Sequence, residues 1–459
     1  MTQFAEFDLP AELLEAVTQS GYKELTPIQR ETMPAILEGR DVLALAPTGS
    51  GKTAAFSLGL LKEIDLGLVQ TQALVLCPTR ELADQVAGQI RKLGSRLPNL
   101  KVSVLTGGMP LGPQIASLKV HDPHVVVGTP GRIQELLRKK ILHIRSLKVL
   151  VLDEADRMLD MGFTDQVTDI LSRTPPKKQT LMFSATMPEA AEHISNQYLN
   201  DPLKVDAQSE AQHADIRTHF YRVGESHKLQ ALAQVLHHKD PQACVVFCNT
   251  RKMCDDVQHY LDQVGFSALA LHGDFEQRDR DEVLLQFANE SANVLVATDV
   301  AARGIDITHI DLVINYDVPF EPESYVHRIG RTGRAGAKGD AITLVTEVDG
   351  GRVQNMEDHL GTAVKPEVLR VTMKPTGVKH YAPMQTIRID GGKTDKLRPG
   401  DLLGTLTGEG GLSANAIGKI NIMPTKSYVA IKRGQVQDAL NYLRNGKIKG
   451  KRFRAGLLK

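Results

Sequence analysis

The chain has 459 residues, of which 42% are hydrophobic and 24% charged, with a formal net charge of +1. That length exceeds one hydrophobic core and calls for two or three domains, while the composition excludes fibrous and disordered classes. No apolar run approaches a membrane span and Met1–Glu6 lacks the basic-then-apolar pattern of a leader, so a cytoplasmic, membrane-free protein is expected.

In chain order, Val42–Ala46 is a buried strand by composition, and it runs into Ala46-Pro47-Thr48-Gly49-Ser50-Gly51-Lys52-Thr53. A glycine loop between a strand and a helix, ending in Lys-Thr, presents backbone N–H groups and an ammonium to a triphosphate. Ala46 stands where the first glycine of such loops usually appears. Ala73–Cys77, Val125–Gly128, Leu147–Leu152 and Thr180–Phe183 continue as strands separated by helical patterns, which describes a mainly parallel βαβ sheet. Directly after Leu147–Leu152 stand Asp153-Glu154-Ala155-Asp156. A strand that carries adjacent carboxylates to its tip can hold magnesium with Asp153, directly or from the outer sphere, and orient or activate water with Glu154. Lys52 is expected on the β- and γ-phosphates and Thr53 on the metal. The two motifs together imply ATP hydrolysis with Mg2+.

After a polar stretch near Asp201–Asp215 the pattern restarts, with strands at Cys244–Cys248, Ala268–Leu271, Val294–Ala297 and Leu312–Ile314. Cys77, Cys244, Cys248 and Cys254 have no metal-ligand spacing and read as reduced packing residues. Lys365–Pro383 contains three prolines, has little periodicity and reads as a linker. Residues 384–459 hold 15 Lys+Arg against 5 Asp+Glu, whereas the remainder holds 40 against 49. A basic module on a mildly acidic body suits a polyanion. Within it, Ile387–Asp390 and Tyr428–Ile431 are expected strands and Gln435–Leu443 a helix.

With Ala46–Thr53 and Asp153–Asp156 in place, the sequence resembles the DEAD-box RNA helicases, and further segments fall in family order. Gly21-Tyr22-Lys23-Glu24-Leu25-Thr26-Pro27-Ile28-Gln29 resembles the family's Q motif, with Phe4 as its upstream aromatic; Gln29 would read the adenine edge and Tyr22 stack on its face. Ser184-Ala185-Thr186 resembles the motif that ties the carboxylate site to the rest of the machine. Ala301-Ala302-Arg303-Gly304-Ile305-Asp306 resembles motif V, placing Gly304 and Asp306 near ribose and γ-phosphate. His327-Arg328-Ile329-Gly330-Arg331-Thr332-Gly333-Arg334 resembles motif VI, with Arg331 and Arg334 as arginine fingers on the γ-phosphate. The resemblance implies an active site divided between two domains whose closure permits hydrolysis.

The same resemblance implies an RNA track. Pro78-Thr79-Arg80-Glu81-Leu82, Gly107-Gly108 and Thr129-Pro130-Gly131-Arg132 would line it on the first domain, and Asn249-Thr250-Arg251, Gln277 to Arg280, and Thr298-Asp299 on the second. These are strand-end turns rich in N–H groups and hydroxyls, suited to backbone rather than base contacts. Gly391-Gly392-Lys393 and Ile417-Gly418-Lys419-Ile420 resemble the tail of the DbpA subfamily, an RRM-like fold, and the likeness extends over essentially the whole chain. It implies a non-processive helicase aimed at a structured hairpin of large-subunit ribosomal RNA, acting in assembly of the pre-ribosomal large subunit. With only Tyr428 and Phe453 near an aromatic platform, Lys447, Lys449, Lys451, Arg452 and Arg454 are expected to grip phosphates.

The expected architecture is α/β: a RecA-like domain over 1–205, a second over 206–365, a linker over 366–383 and a small α+β RRM-like RNA-binding domain over 384–459. A monomer is expected. The alternatives are a DEAD-box helicase without ribosomal address, a DNA translocase on the same core, and an RNA clamp with a vestigial ATP site.

Overall fold

The computed structural model describes residues 3–46, 49–207, 216–302, 310–333, 339–372 and 379–458. In the first unit, seven strands form one sheet: β1 Val42–Leu45, β2 Ala73–Leu76, β3 Val102–Leu105, β4 Val125–Gly128, β5 Val149–Asp153, β6 Gln179–Ser184 and β7 Leu203–Asp206. Their order is β3-β4-β2-β5-β6-β1-β7, and every pair is parallel. Successive side chains leave opposite faces. Val75, Val127, Val151 and Phe183 therefore enter one apolar core, and Leu74, Leu76, Val126, Leu150, Leu152 and Met182 enter another. Helices cover both faces, which is why the central strands are continuous apolar runs.

The second unit begins with another seven strands: β8 Ile216–Arg222, β9 Cys244–Phe247, β10 Ala268–Leu271, β11 Val294–Ala297, β12 Leu312–Asn315, β13 Gly339–Val345 and β14 Glu367–Val368. They are parallel in the order β10-β11-β9-β12-β13-β8-β14. Position by position this is the arrangement of the first sheet, so the chain contains a structural repeat. Strands β3, β7, β8 and β14, absent from the expected set, are partly or fully exposed and lack the apolar run that marks the interior strands. β13 is buried but is interrupted by Gly339, Asp340 and Thr343.

The tail is antiparallel: β15 Met384–Ile389, β16 Ile417–Ile422, β17 Ser427–Lys432 and β18 Ala455–Leu457 in the order β16-β17-β15-β18. Its two longer helices, Pro399–Thr407 and Val436–Asn445, cover one face. They bury Leu402, Leu406, Leu440 and Leu443 on Ile387, Ile389, Val429 and Ile431. Helix Pro399–Thr407 escaped the sequence pattern because Gly400 and Gly404 weaken it. It is held by Pro399 in its first turn and by Asp401, whose carboxylate accepts the Arg398 N–H at 2.9 Å. A Cβ on Gly391 would stand 2.3 Å from the Phe453 ring, so only glycine lets that ring pack where it does.

The described part of the segment expected to be a linker is laid along the second unit. Glu367 and Val368 pair with Tyr221 and Arg222. His380 N–H donates to the Gly265 carbonyl, its own carbonyl accepts from Asn293, and its ring stacks on Phe266. All four cysteines are buried free thiols.

Candidate functional site: phosphate cradle and RNA-facing loops

In a parallel α/β sheet, ligands meet the loops at the carboxyl ends of the strands. The first sheet divides these loops. Those after β1, β5 and β6 carry the phosphate and carboxylate motifs, and those after β2, β3 and β4 carry the expected RNA contacts.

After β1, Gly49 and Gly51 take φ of +88° and +96°, the left-handed region that favours glycine. Gly51 caps the helix Lys52–Glu63, which aims the helix N-terminus into the loop. Pro47 and Thr48 lie outside the described residues. Lys52 is buried, and its Nζ stands 3.1 Å from Asp153 Oδ1 at the tip of β5. Burial opposes the ammonium charge, but Asp153, Glu154 and Asp156 together outweigh it and raise the Lys52 pKa. Burial raises the Asp153 carboxyl further than Lys52 lowers it. Asp153 is 0% exposed, and among the described residues neither of its oxygens has an aligned hydrogen-bond donor. A buried carboxylate without a donor, beside an ammonium, fits a hard dication with oxygen ligands, so these residues suit magnesium. Thr53, half-buried in the first helical turn, is the other expected ligand.

Glu154 has φ +55°, a conformation that costs a non-glycine residue about 1–3 kcal/mol and clusters at working sites. Its carboxylate accepts from Arg157, and both side chains are buried. Asp156 joins β5 to β6. Its Oδ2 accepts from Ala185 N–H at 3.1 Å, Thr186 N–H at 2.8 Å and Thr186 Oγ1 at 3.0 Å, while its own N–H donates to Ser184 Oγ at 3.1 Å. The triplet Ser184–Thr186 thus meets the acidic motif through Asp156. Thr186→Val removes one of the three donors to Oδ2 of a buried carboxylate. It is expected to lower stability by about 1–2 kcal/mol in urea titrations, with the backbone donors limiting the loss.

The Q-motif residues lie beside the same loop. Gln29 is buried: its Nε2 donates to Gly51 carbonyl at 2.9 Å and its Oε1 accepts Thr26 N–H at 3.0 Å. Its amide closes the phosphate loop in this structure, a role that the sequence did not indicate. Pro27 opens the helix Pro27–Leu37. Tyr22 is half-buried, its hydroxyl accepts from Gln89, and its ring packs on Phe4 at 5.9 Å. Phe4 is wholly buried and serves as core.

On the other half of the sheet, Pro78-Thr79-Arg80 follows β2, Gly107-Gly108 follows β3, and Thr129-Pro130-Gly131-Arg132 follows β4. Thr79 caps the helix Arg80–Leu93 by accepting Leu82 N–H. Thr129 Oγ1 accepts Gly107 N–H at 3.1 Å, which binds two of these loops together. Arg132 donates to Met109 carbonyl and pairs with Glu135 at 3.2 Å.

In the second unit, Arg328 is the centre that sequence reasoning overlooked. It is 1% exposed and donates to Asp299 at 2.6 and 2.7 Å, to Asn249 Oδ1 at 2.9 Å and to Asp317 carbonyl at 2.7 Å. One guanidinium so joins the segments after β9, β11 and β12. Arg331 is buried, and its Nε donates to His327 carbonyl. Thr298 follows β11 and caps the short helix Asp299–Ala302 through its carbonyl. Gly304, Asp306 and Arg334 lie outside the described residues. In the tail, Lys447, Lys449, Lys451, Arg452 and Arg454 are exposed around a tight turn, with Lys449 at φ +52° and Gly450 at φ +79°. Lys449 is tied back to Lys396 carbonyl and Asp401, and the other four point outward from the same segment.

Residues 26–194 match the DEAD/DEAH box helicase family, 227–336 the helicase conserved C-terminal domain and 386–456 the DbpA RNA binding domain. The chain is 49% identical to the ATP-dependent RNA helicase DbpA of Escherichia coli K12 over 100% of both chains, and 38% identical to that of Bacillus subtilis 168 over 99% of both. Among solved structures, it is similar to S. cerevisiae Dbp5 bound to RNA and ADP BeF3, with TM-score 0.73 and 29% identity over 81% of this chain and 96% of that one. It is also similar to Mss116p bound to ssRNA and AMP-PNP, with TM-score 0.70 and 27% identity over 80% of this chain and 81% of that one. A repeated parallel sheet, the two matching helicase regions, a matching tail and a relative 49% identical over the full length leave one assignment: the chain belongs to the DEAD-box ATP-dependent RNA helicases of the DbpA family.

Proposed function

We propose that this helicase remodels large-subunit ribosomal RNA during assembly of the pre-ribosomal large subunit, as a cytoplasmic monomer addressed by residues 384–459. Residues 1–205 and 206–365 form the ATP-driven core, and 366–383 connect it to the address. The observation that carries the reading is a folded tail with outward lysines and arginines on an ATPase core whose own RNA loops offer N–H groups and hydroxyls. Such a core is indifferent to sequence, so selection falls to the tail.

Lys52 and the N–H groups of Gly49, Ser50 and Gly51 hold the phosphates. Asp153 and Thr53 would hold Mg2+, which would supply positive charge against the triphosphate. Glu154 orients the attacking water, and Arg331 and Arg334 neutralise the transition state. Tyr22, Pro27 and Gln29 select adenine, with Gln29 turning from Gly51 to the base. In the tail, Tyr428 is buried and Phe453 is wedged on Gly391, which favours phosphate contacts by Lys447, Lys451, Arg452 and Arg454 over base stacking.

ATP hydrolysis is to be measured with three additions: large-subunit ribosomal RNA, an unrelated RNA of equal length, and single-stranded DNA. Strong stimulation by ribosomal RNA alone is the expected result. Equal stimulation by both RNAs would leave a helicase without a ribosomal address.

A further inference from the structure

The tail sheet has two faces. Ile387, Ile389, Val429 and Ile431 enter its core, so Thr386, Arg388 and Tyr428 emerge on the side away from the helices. That side is not open. It rests on the helix Gln277–Ala288 of the second sheet domain and on the turn that follows. Tyr428 Oη donates to Glu282 Oε1 at 2.9 Å, and Lys426 Nζ stands 3.4 Å from the same oxygen. Lys419 Nζ donates to Ala288 carbonyl at 2.7 Å, and Thr386 and Ser291 share a hydroxyl bond at 2.8 Å. Glu282 keeps only 13% of its side chain exposed, with Arg278 at 3.6 Å as a further cation. Burial, reinforced by the Glu282 carboxylate, raises the Tyr428 phenol far above its ordinary range and keeps it a neutral donor.

Two residues before Glu282, the same helix also reaches the segment after β11. Arg280 Nη2 donates to Ala301 carbonyl at 3.4 Å, within Asp299–Ala302, and Asp299 is the carboxylate that Arg328 holds. Gln277 to Arg280 are themselves expected RNA contacts. One helix of 12 residues therefore touches the tail through Glu282 and the motif V segment through Arg280.

We propose that Glu282 is a positioning residue: its bonds to Tyr428 and Lys426 lock the tail to the helix Gln277–Ala288, so that RNA seated on the tail is presented to the second domain in one register. This rests on the reading of the tail as the RNA address. A locked tail raises the effective concentration of the attached RNA at the core, and a loosened one dilutes it without altering the tail's own grip.

The test uses the full chain with Glu282→Gln, Tyr428→Phe and both together. Tyr428→Phe keeps the ring and its packing, so a folded variant is secured. Two quantities are read with large-subunit ribosomal RNA: direct binding without nucleotide, and the RNA concentration that half-saturates ATP hydrolysis. Direct binding, turnover at saturating RNA and unstimulated hydrolysis are expected to stay within twofold of wild type. The half-saturating concentration is expected to rise about tenfold in the double variant and by less in each single one, because Tyr428→Phe removes the phenol's bond to Glu282 and Glu282→Gln removes the charge that Lys426 faces. Unchanged half-saturation overturns the coupling and leaves the ribosomal address standing. Equal weakening of binding and half-saturation also overturns it, because Glu282 would then merely maintain the tail. A wild-type chain that binds ribosomal and unrelated RNA alike removes the address, and the coupling with it.

Discussion

Glu154→Gln is expected to bind ATP and RNA normally while turnover falls by about a thousandfold, within the roughly 10²–10⁴ that a positioned base contributes. The residue sits in a left-handed conformation between a buried strand tip and a short helix, and its carboxylate is held by buried Arg157. That arrangement fixes an anion at one place, as a group that orients water requires. Gln keeps the shape and loses the charge. Arg157 is then left as a buried cation with a weakened partner, so a few degrees of lost thermal stability should accompany the catalytic loss. Single-turnover hydrolysis and nucleotide binding on the same preparation check the result. Turnover within tenfold of wild type would remove Glu154 from its proposed role.

Replacing Lys447, Lys451, Arg452 and Arg454 together by Gln is the second large effect. Each lost phosphate contact on single-stranded RNA lowers the salt slope of log affinity by about 0.7, so four should lower it by roughly 3. At physiological salt, affinity for large-subunit ribosomal RNA should fall roughly a hundredfold. The weak hydrolysis that any RNA stimulates through the core should remain, because the loops after β2, β3 and β4 are untouched. Lys449 is left in place because it is bound back to Lys396 and Asp401. An unchanged salt slope would move the RNA-binding face elsewhere on the tail.

Much of this protein was legible before its structure. Interior strands such as β2, β4 and β5 are buried on both faces, so their residues are apolar without interruption, and the turns that follow carry motif residues in a fixed order. Edge strands β3, β7 and β14, and β8 next to the edge, bury one face or less, and their sequences carry no such run. The tail helix expected over Gln435–Leu443 is present as Val436–Asn445, whereas helix Pro399–Thr407 was not legible, since its stability comes from packing Leu402 and Leu406 rather than from propensity.

The sequence by itself determined the two parallel-sheet domains, the phosphate loop, the carboxylate tip and the basic tail, because each depends on residues adjacent in the chain. Tertiary structure alone decided the partners that are distant in sequence. Gln29 reaches Gly51, Asp156 gathers Ala185 and Thr186, Arg328 joins Asn249 to Asp299, and Tyr428 finds Glu282. Each is a buried polar group that must be satisfied once water is removed, and which neighbour satisfies it depends on strand order and on the packing of the tail, not on local pattern.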